Sequence, residues 1–116
     1  MYTYNFTLIR VVDGDTVIGY VDLGFDVQIK QTFRFADINT PELNSSDPLL
    51  KEQANKARDF TLKFFEDAKI NNKKVTVISS KPIIKDKYGR YLGTFVCENL
   101  ILNQQLIDNG LALKYS

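Results

Sequence analysis

The sequence predicts an α+β domain that is mainly β, with five strands, a long helix between the third and fourth strands, and a short C-terminal helix. Its 116 residues fit a single domain, which we take as residues 1–116. Apolar residues alternate in several short runs, as they do in half-buried strands. One longer segment changes to the spacing of an amphipathic helix.

The first three strands are separated by turn signals. Residues 3–12 alternate imperfectly and predict the first strand. Residues 13–14, Asp-Gly, mark a turn or bulge, and residues 16–21 predict the second strand. Residues 23–26 form a hairpin connection, after which residues 27–38 predict a long third strand.

The long helix begins at an Asp-Pro pair. Asp47 is a suitable N-cap, and Pro48 suits the first helical position. The small and apolar residues that follow have helical spacing, which predicts a helix ending near residues 71–72. They are Leu50, Ala54, Ala57, Thr61, Phe64, Phe65 and Ala68.

The last third of the chain completes the pattern. Residues 74–80 and 88–97 predict strands four and five, and residues 101–109 a short helix. Asn103 is its candidate N-cap, and Gly110 occupies the C′ position. Three strands, a helix, two strands and a helix are the order of a five-stranded OB-type β-barrel with a helix between strands three and four.

The composition limits the kinds of catalytic and metal-binding sites that the chain can form. The chain has no histidine and one cysteine, which excludes histidine-dependent nucleophile pairs, imidazole zinc sites and an internal disulfide. Cys97 follows apolar residues and is interpreted as a small buried hydrophobic residue. An enzyme of this composition would use carboxylates, amides, lysines, arginines or tyrosines, and hard oxygen ligands suit Ca²⁺ or Mg²⁺.

Charge is divided unevenly along the chain. Residues 1–50 hold three basic and seven acidic side chains, whereas residues 69–90 hold seven basic and one acidic. This division suits an enzyme that binds both a cation and a phosphate, and a solvated basic segment is the alternative interpretation.

No apolar run approaches the ~20 residues of a membrane span. Residues 1–6 lack signal-peptide features, so we expect a cytoplasmic protein, including one carried by a phage or mobile element, or the mature form of a secreted one.

Three short clusters carry residues suited to catalysis. Residues 13–16, Asp-Gly-Asp-Thr, place two carboxylates on the same side of an extended chain. Residues 33–42 place Arg34 in an aromatic strand that ends in Asp-Ile-Asn-Thr-Pro-Glu. Residues 86–90, Asp-Lys-Tyr-Gly-Arg, supply a second arginine. Each cluster alone is also compatible with an ordinary turn or a structural ion pair.

Together the clusters resemble the staphylococcal (micrococcal) nuclease, or thermonuclease, family in order and spacing. The resemblance extends to residues 103–106, Asn-Gln-Gln-Leu, and 110–112, Gly-Leu-Ala, so it covers nearly the whole chain. It implies a calcium-dependent nuclease that hydrolyses DNA and RNA with little sequence specificity and leaves 3′-phosphate ends. It also implies nucleic acid as the partner, and we expect a monomer that prefers single-stranded or breathing duplex substrate.

The resemblance implies a calcium site. Asp15 would be a direct ligand, the Thr40 backbone carbonyl another, and Asp13 would act through water. The family usually has aspartate where this chain has Asn39, whose amide oxygen can coordinate Ca²⁺ without contributing charge. Because calcium affinity depends on ligand charge, we expect weaker binding, with partial compensation by Asp37 if the strand is regular there.

The resemblance also implies catalytic and substrate-binding roles. Glu42 would orient or deprotonate the attacking water, and Arg34 and Arg90 would hold the phosphate and stabilise transition-state charge. The substrate-binding candidates are Lys87, Tyr88 and Tyr115. For the two tyrosines, packing within the fold is the alternative role. The sequence ends near the point where the best-known member continues into a third helix, so we expect a compact form with a more open site.

Two other functions are compatible with the fold. One is an OB-type module that binds nucleic acid without cleaving it, and the other is an interaction domain unrelated to nucleic acid. Degenerate domains typically lose the arginines and the glutamate, so the presence of Arg34, Glu42 and Arg90 favours an enzyme. Asn39 favours the binding module.

Overall fold

The computed structural model describes residues 2–79 and 90–115 of the chain. These residues form eight strands, three of them only two residues long, and two helices. In chain order they are β1 (Tyr2–Asp13), β2 (Thr16–Asp22), β3 (Gln28–Phe35), β4 (Ile38–Asn39), α1 (Pro48–Ile70), β5 (Val75–Ser79), β6 (Tyr91–Cys97), β7 (Leu100–Ile101), α2 (Leu102–Asp108) and β8 (Leu113–Lys114).

The five longer strands close into a barrel in the order β3-β2-β1-β5-β6. The neighbours along this order pair antiparallel. Closure comes from a parallel pairing of β3 with β6, in which Phe33 lies opposite Tyr91 and Phe35 opposite Gly93. Register shifts in β1 let that strand bend between its two partners. The predicted five-stranded OB-type barrel with a helix before the fourth long strand is therefore confirmed.

Phenylalanines fill the barrel. The ring of Phe95 is fully buried and lies 4.8–5.8 Å from the rings of Phe6, Phe33, Phe35 and Phe65. Most of these pairs have the edge-to-face geometry that aromatic rings favour. The cluster follows from the alternation of β1, β3 and β6, with Phe65 added by α1. Cys97 also lies in this core, as its apolar neighbours predict.

α1 begins and packs as predicted. The Asp47 carboxylate accepts a 2.9 Å hydrogen bond from the Leu49 amide at the N-cap, with proline at the first position. The buried face has the predicted helical spacing and consists of Ala54, Ala57, Thr61, Phe65 and Ala68. Of the other two predicted positions, Phe64 packs partly buried against the core, whereas Leu50 is 44% exposed and does not belong to this face. No helix in the described ranges is long and apolar enough to cross a membrane.

The third strand ends earlier than predicted. It stops at Phe35, because Asp37 adopts a left-handed backbone with φ of 64°. The chain then resumes as β4, whose Ile38 and Asn39 pair with Lys114 and Leu113 of β8. The regular strand that would have placed Asp37 on the same face as Asn39 is therefore absent.

Asn103 does not cap α2. The helix begins at Leu102 with Ile101 at the N-cap, and the Asn103 side chain points into the core. Its Oδ1 accepts a 3.1 Å hydrogen bond from the Phe95 amide, and its Nδ2 donates to the carbonyls of Ala36 and Gly93 at 3.1 and 3.2 Å. A buried amide with three backbone partners is more favourable here than a solvent-exposed cap.

Candidate active site

The turn between β1 and β2 forms the floor of the candidate site. Asp13 pairs with Thr16, which leaves Gly14 and Asp15 as the connection. A Cβ on Gly14 would lie 2.6 Å from Cβ of Ala57, so only glycine lets α1 approach this closely. α1 thereby holds the turn against the barrel.

Asp15 is buried, and each oxygen of its carboxylate has a partner within the protein. The residue is 6% exposed. Its Oδ1 accepts a 3.1 Å hydrogen bond from the Thr16 hydroxyl, and its Oδ2 accepts one of 3.1 Å from the Thr40 amide. Nη2 of Arg34 lies 3.7 Å from the same Oδ2. A buried carboxylate needs such partners, because its desolvation is otherwise too costly.

Arg34 reaches this carboxylate from the end of β3. Its Nη2 donates to the Ile38 carbonyl at 3.0 Å and to Oδ1 of Asn39 at 2.7 Å, and its Nη1 donates to the Phe35 carbonyl at 3.4 Å. The guanidinium carbon lies 5.1 Å from the ring centroid of Tyr115, within the range of a cation–π contact. The early end of β3 creates this arrangement, because it turns the Ile38 carbonyl and the Asn39 side chain towards Arg34.

The pKa of the Asp13 carboxyl group responds to other charged groups at this end of the barrel. Burial is the largest influence and raises the pKa of its carboxyl group above the usual 3.8, whereas a 3.1 Å hydrogen bond from the Leu43 amide opposes the rise. The negative charges of Asp15 and Glu42 raise this pKa further, and the positive charge of Arg90 lowers it. Since charge interactions weaken with distance, Glu42 and Arg90 lie within electrostatic reach of the turn.

An open cleft of about 540 Å³ adjoins these residues. It is lined by residues 39–42 and 44–46 together with Leu50 and Leu113. Glu42 is exposed here, and its carbonyl accepts a 3.2 Å hydrogen bond from the Ser45 amide. An exposed carboxylate at the wall of a cleft can accept a proton from a water molecule that enters it.

The donor atoms around Asp15 fit a hard cation. Asp15 offers a carboxylate and Asn39 an amide oxygen, both in contact with the Arg34 guanidinium, and the family resemblance adds the Thr40 backbone carbonyl. Thr40 is also buried, and within the described part of the chain its Oγ1 has no hydrogen-bond partner. Residues 2–79 and 90–115 contain no group of three or more histidine, cysteine or acidic side chains arranged to hold a metal. A mixed oxygen set with few carboxylates is compatible with Ca²⁺ and implies modest affinity.

The structure brings most of the predicted site residues to one end of the barrel, joined by the contacts and charge interactions above. They are Asp13, Asp15, Arg34, Asn39, Thr40, Glu42, Arg90 and Tyr115. Lys87 and Tyr88 fall outside the described residues.

Sequence patterns did not indicate two groups that support the site. One is the Leu43 amide, and the other is the Thr61 hydroxyl, which donates a 2.7 Å hydrogen bond to the Gly14 carbonyl. The helical spacing places Thr61 on the buried face of α1, and this is the one sequence feature that indicates its contact with the barrel.

Fold and site together define an OB-type barrel domain in which a buried aspartate pairs with an arginine beside a cleft that Glu42 lines. The chain belongs to the staphylococcal nuclease family, because the model of staphylococcal nuclease homologues matches residues 32–116. The matched region includes Arg34, Asn39, Glu42 and Arg90. The family resemblance seen in the three sequence clusters is thereby confirmed.

Individual relatives are similar over most of this chain. A thermonuclease of Staphylococcus hyicus is 31% identical over 108 residues, covering 93% of this chain and 57% of the relative. Uncharacterized proteins of Methanocaldococcus jannaschii and Bacillus anthracis are 27% and 28% identical over 128 and 109 residues. Those matches cover 97% and 91% of this chain, and 59% and 45% of the two relatives. The chain thus spans about half the length of these relatives.

Proposed function

We propose that this chain is a calcium-dependent nuclease that hydrolyses phosphodiester bonds in DNA and RNA with little sequence specificity and leaves 3′-phosphate ends. The observation that carries the proposal is the meeting of Arg34 with buried Asp15 at 3.7 Å. Asp13, Glu42 and Arg90 lie within electrostatic reach of the same turn. Family membership supports the same reaction.

The two arginines supply fixed positive charge. Arg34 is well placed to hold a phosphate, because the carbonyls of Phe35 and Ile38 already orient its guanidinium. Arg90 brings a second positive charge from the start of β6, a distant part of the chain. Charges fixed before the reaction stabilise the additional negative charge of a phosphoryl transition state at little reorganisation cost.

Glu42 is proposed to orient the attacking water or accept its proton. Its exposed position beside the 540 Å³ cleft gives both water and substrate access to the carboxylate. Asp15, Asn39 and the Thr40 carbonyl would hold Ca²⁺, with Asp13 acting through water. A bound calcium ion supplies polarisation of the phosphoryl oxygen. The protein's own residues position the water, the phosphate and the proton acceptor.

Substrate selection is proposed to be loose. Phosphate contacts position a strand without identifying its bases, and a cleft of this size suits a single strand or a breathing duplex. Tyr115 lies next to Arg34 and is proposed to contact the nucleotide, as are Lys87 and Tyr88. We propose that residues 1–116 act as one domain and as a monomer.

The first experiment is digestion of plasmid DNA and RNA with added Ca²⁺, against an EGTA control and a Glu42→Gln variant. Glu66→Gln is the matched control, because Glu66 is exposed on α1 away from the cleft. Cleavage of both polymers that requires calcium, survives Glu66→Gln and falls at least about 100-fold in Glu42→Gln would support the proposal. Binding without cleavage at millimolar calcium would overturn it in favour of a nucleic-acid-binding module, which is the function that Asn39 favours.

A further inference from the structure

The hairpin between β2 and β3 presents a phenylalanine at its tip. Phe25 is 99% exposed, and its neighbours Leu23 and Val27 are exposed as well. An apolar side chain stabilises a fold through the surface that it removes from water. Phe25 removes almost none, so it has no packing role within its own chain.

The backbone holds this tip in a fixed shape. The Leu23 amide donates to the Val27 carbonyl and the Val27 amide to the Gly24 carbonyl, both at 2.9 Å. The Asp22 carboxylate accepts a 2.8 Å hydrogen bond from the Gly24 amide. Phe25 has φ of 55°, a left-handed conformation that is unfavourable for a bulky residue. A strained and fully exposed phenylalanine on a well-bonded turn indicates a contact outside the chain.

The tip is also acidic. Asp22 ends β2, and Asp26 directly follows Phe25. Negative charge on both sides of the ring disfavours a nucleic-acid strand as its partner, because the phosphates are negative too. The complementary surface is an apolar pocket with a positive rim.

A cleft with these properties, the basal cleft, lies beside the hairpin on the same chain. Its volume is about 600 Å³. Its buried and half-buried apolar residues include Leu8, Phe65 and Val75. Its exposed rim carries three lysines, Lys69, Lys73 and Lys74. Asp22 and Gln28, the last pair of the hairpin stem, line the same cleft. The tip therefore begins directly beside the cleft that complements it.

The basal cleft is positive on balance. Its three lysines outnumber the acidic residues that line it, Asp22 and Glu66. Lys73 pairs with Glu98 at 2.6 Å. Within residues 2–79 and 90–115, Lys69 and Lys74 form no salt bridge. These two lysines can therefore pair with a carboxylate that reaches the cleft from another molecule.

We propose that two copies of this chain pair by exchanging hairpin tips, with Phe25 of each copy in the basal cleft of the other. This inference goes beyond the proposed function and does not depend on it. Because the tip and the cleft are adjacent, a single two-fold axis satisfies both contacts at once, as in an isologous dimer. Asp26 of each tip then faces Lys69 and Lys74 of the other copy.

The pairing is weak and leaves the candidate active site open. A phenylalanine buries about 150–250 Å², so two tips with their apolar neighbours form a small interface. Interfaces of that size are transient, and the expected dissociation constant is on the order of tens of micromolar. At the nanomolar concentrations of an activity assay the chain stays monomeric. β2 carries the tip about 20 Å from the turn that holds Asp15.

The first test is sedimentation equilibrium of the EGTA-treated chain, from low micromolar to several hundred micromolar concentration. The unmodified chain is expected to pass from monomer to dimer and no further. Phe25→Asn is expected to weaken the pairing at least about tenfold, since an aromatic residue in a pocket carries much of the binding energy. Asparagine tolerates a positive φ, so this variant should fold at least as stably. Leu113→Asn is the matched control, because Leu113 is 78% exposed at the other end of the barrel.

A mixing experiment tests the exchange itself. Asp26→Lys and the double variant Lys69→Glu/Lys74→Glu are each expected to self-associate at least about tenfold more weakly, because like charges meet at both tips. An equimolar mixture of the two is expected to restore pairing. In the mixed dimer the substituted tip meets the substituted cleft, and the unmodified tip meets the unmodified cleft. Lys56→Glu, outside the basal cleft, is the control for charge reversal and should pair like the unmodified chain.

The outcomes are independent of hydrolysis. Dimerisation that Phe25→Asn weakens, and that the mixture restores, supports the inference whether or not the chain is a nuclease. A dimer that Phe25→Asn leaves unchanged overturns it, as does a mixture that pairs no better than its two components. A chain that is monomeric at every concentration also overturns it. If the affinity of that monomer for a labelled oligothymidylate then falls in Phe25→Asn, the tip contacts nucleic acid instead.

Discussion

The hydroxyl of Thr61 donates a 2.7 Å hydrogen bond to the Gly14 carbonyl, and this bond joins the buried face of α1 to the turn that carries Asp15. Thr61 is fully buried, so a carbonyl that lost this donor would not regain one from solvent. The precision of the site therefore depends on a helix residue that takes no part in the proposed chemistry.

Replacing Thr61 by valine tests this dependence. Thr61→Val keeps the side-chain volume and removes the donor, so it is expected to lower the free energy of unfolding by about 1–3 kcal/mol. Thr61→Ser, which keeps the hydroxyl, is the matched control and should cost about 1 kcal/mol or less. Urea denaturation of both variants is the measurement, and equal stabilities would contradict the assigned bond.

Asn103 is expected to be a stability residue. Asn103→Ala leaves the Phe95 amide and the carbonyls of Ala36 and Gly93 without this partner inside the protein. We expect a loss of about 2–3 kcal/mol in the free energy of unfolding. Gln104→Ala, at the exposed neighbour, should change stability by about 0.5 kcal/mol or less. Thermal and urea unfolding measure both, and a neutral Asn103→Ala would argue against the buried network.

Stability is expected to depend on pH through Asp13. Its pKa is raised above 3.8 chiefly by burial, so the folded state binds this proton more tightly than the unfolded chain does. The resulting stabilisation is complete below about 3.8 and is lost as the pH rises through the higher folded value. Asp13→Asn keeps an acceptor for the Leu43 amide without the partly buried charge. It should therefore stabilise the chain at pH 7.

The measurement for Asp13→Asn is thermal unfolding in EGTA at pH 3 and pH 7. The variant is expected to unfold at a higher temperature than the unmodified chain at pH 7, and the difference should shrink towards zero at pH 3. Asp22→Asn, at the far end of β2, controls for the general effect of removing a charge. A variant that was less stable at pH 7 would show that Asp13 stabilises the fold as a carboxylate.

Asn39→Asp is expected to strengthen calcium binding. In the proposed calcium site Asp15 would supply one directly bound negative charge, and the new carboxylate would add a second. Calcium affinity follows ligand charge. We expect about tenfold tighter binding by calorimetry. Asn44→Asp, in the same cleft, should produce a smaller gain. Equal gains would mean that the cleft attracts calcium by its overall charge and that Asn39 is not a ligand.

The local patterns of the sequence anticipated most of the regular structure. Alternation located the barrel strands, and Asp47 and Pro48 located the start of α1. Both signals involve residues close in sequence, so they persist whatever the rest of the chain does. The predictions for Asp37 and Asn103 were wrong because contacts distant in sequence decide both. The apolar alternation of the third strand continues past the left-handed backbone of Asp37, so the pattern does not show where the strand ends. The capping preference of Asn103 is outweighed by its three backbone partners in the core.

The sequence alone determined the order of the five long strands and the two helices, the chemical types available to the site, and the family that the three clusters resemble. Tertiary structure decided the rest. It placed Arg34 on Asn39, directed the Leu43 amide to Asp13 across 30 residues, and bonded Thr61 to Gly14 across 47. Such contacts are decided by which surfaces the closed barrel brings together. The hydrogen-bonding preference of a side chain specifies the kind of partner it needs, and only the fold specifies which residue provides it.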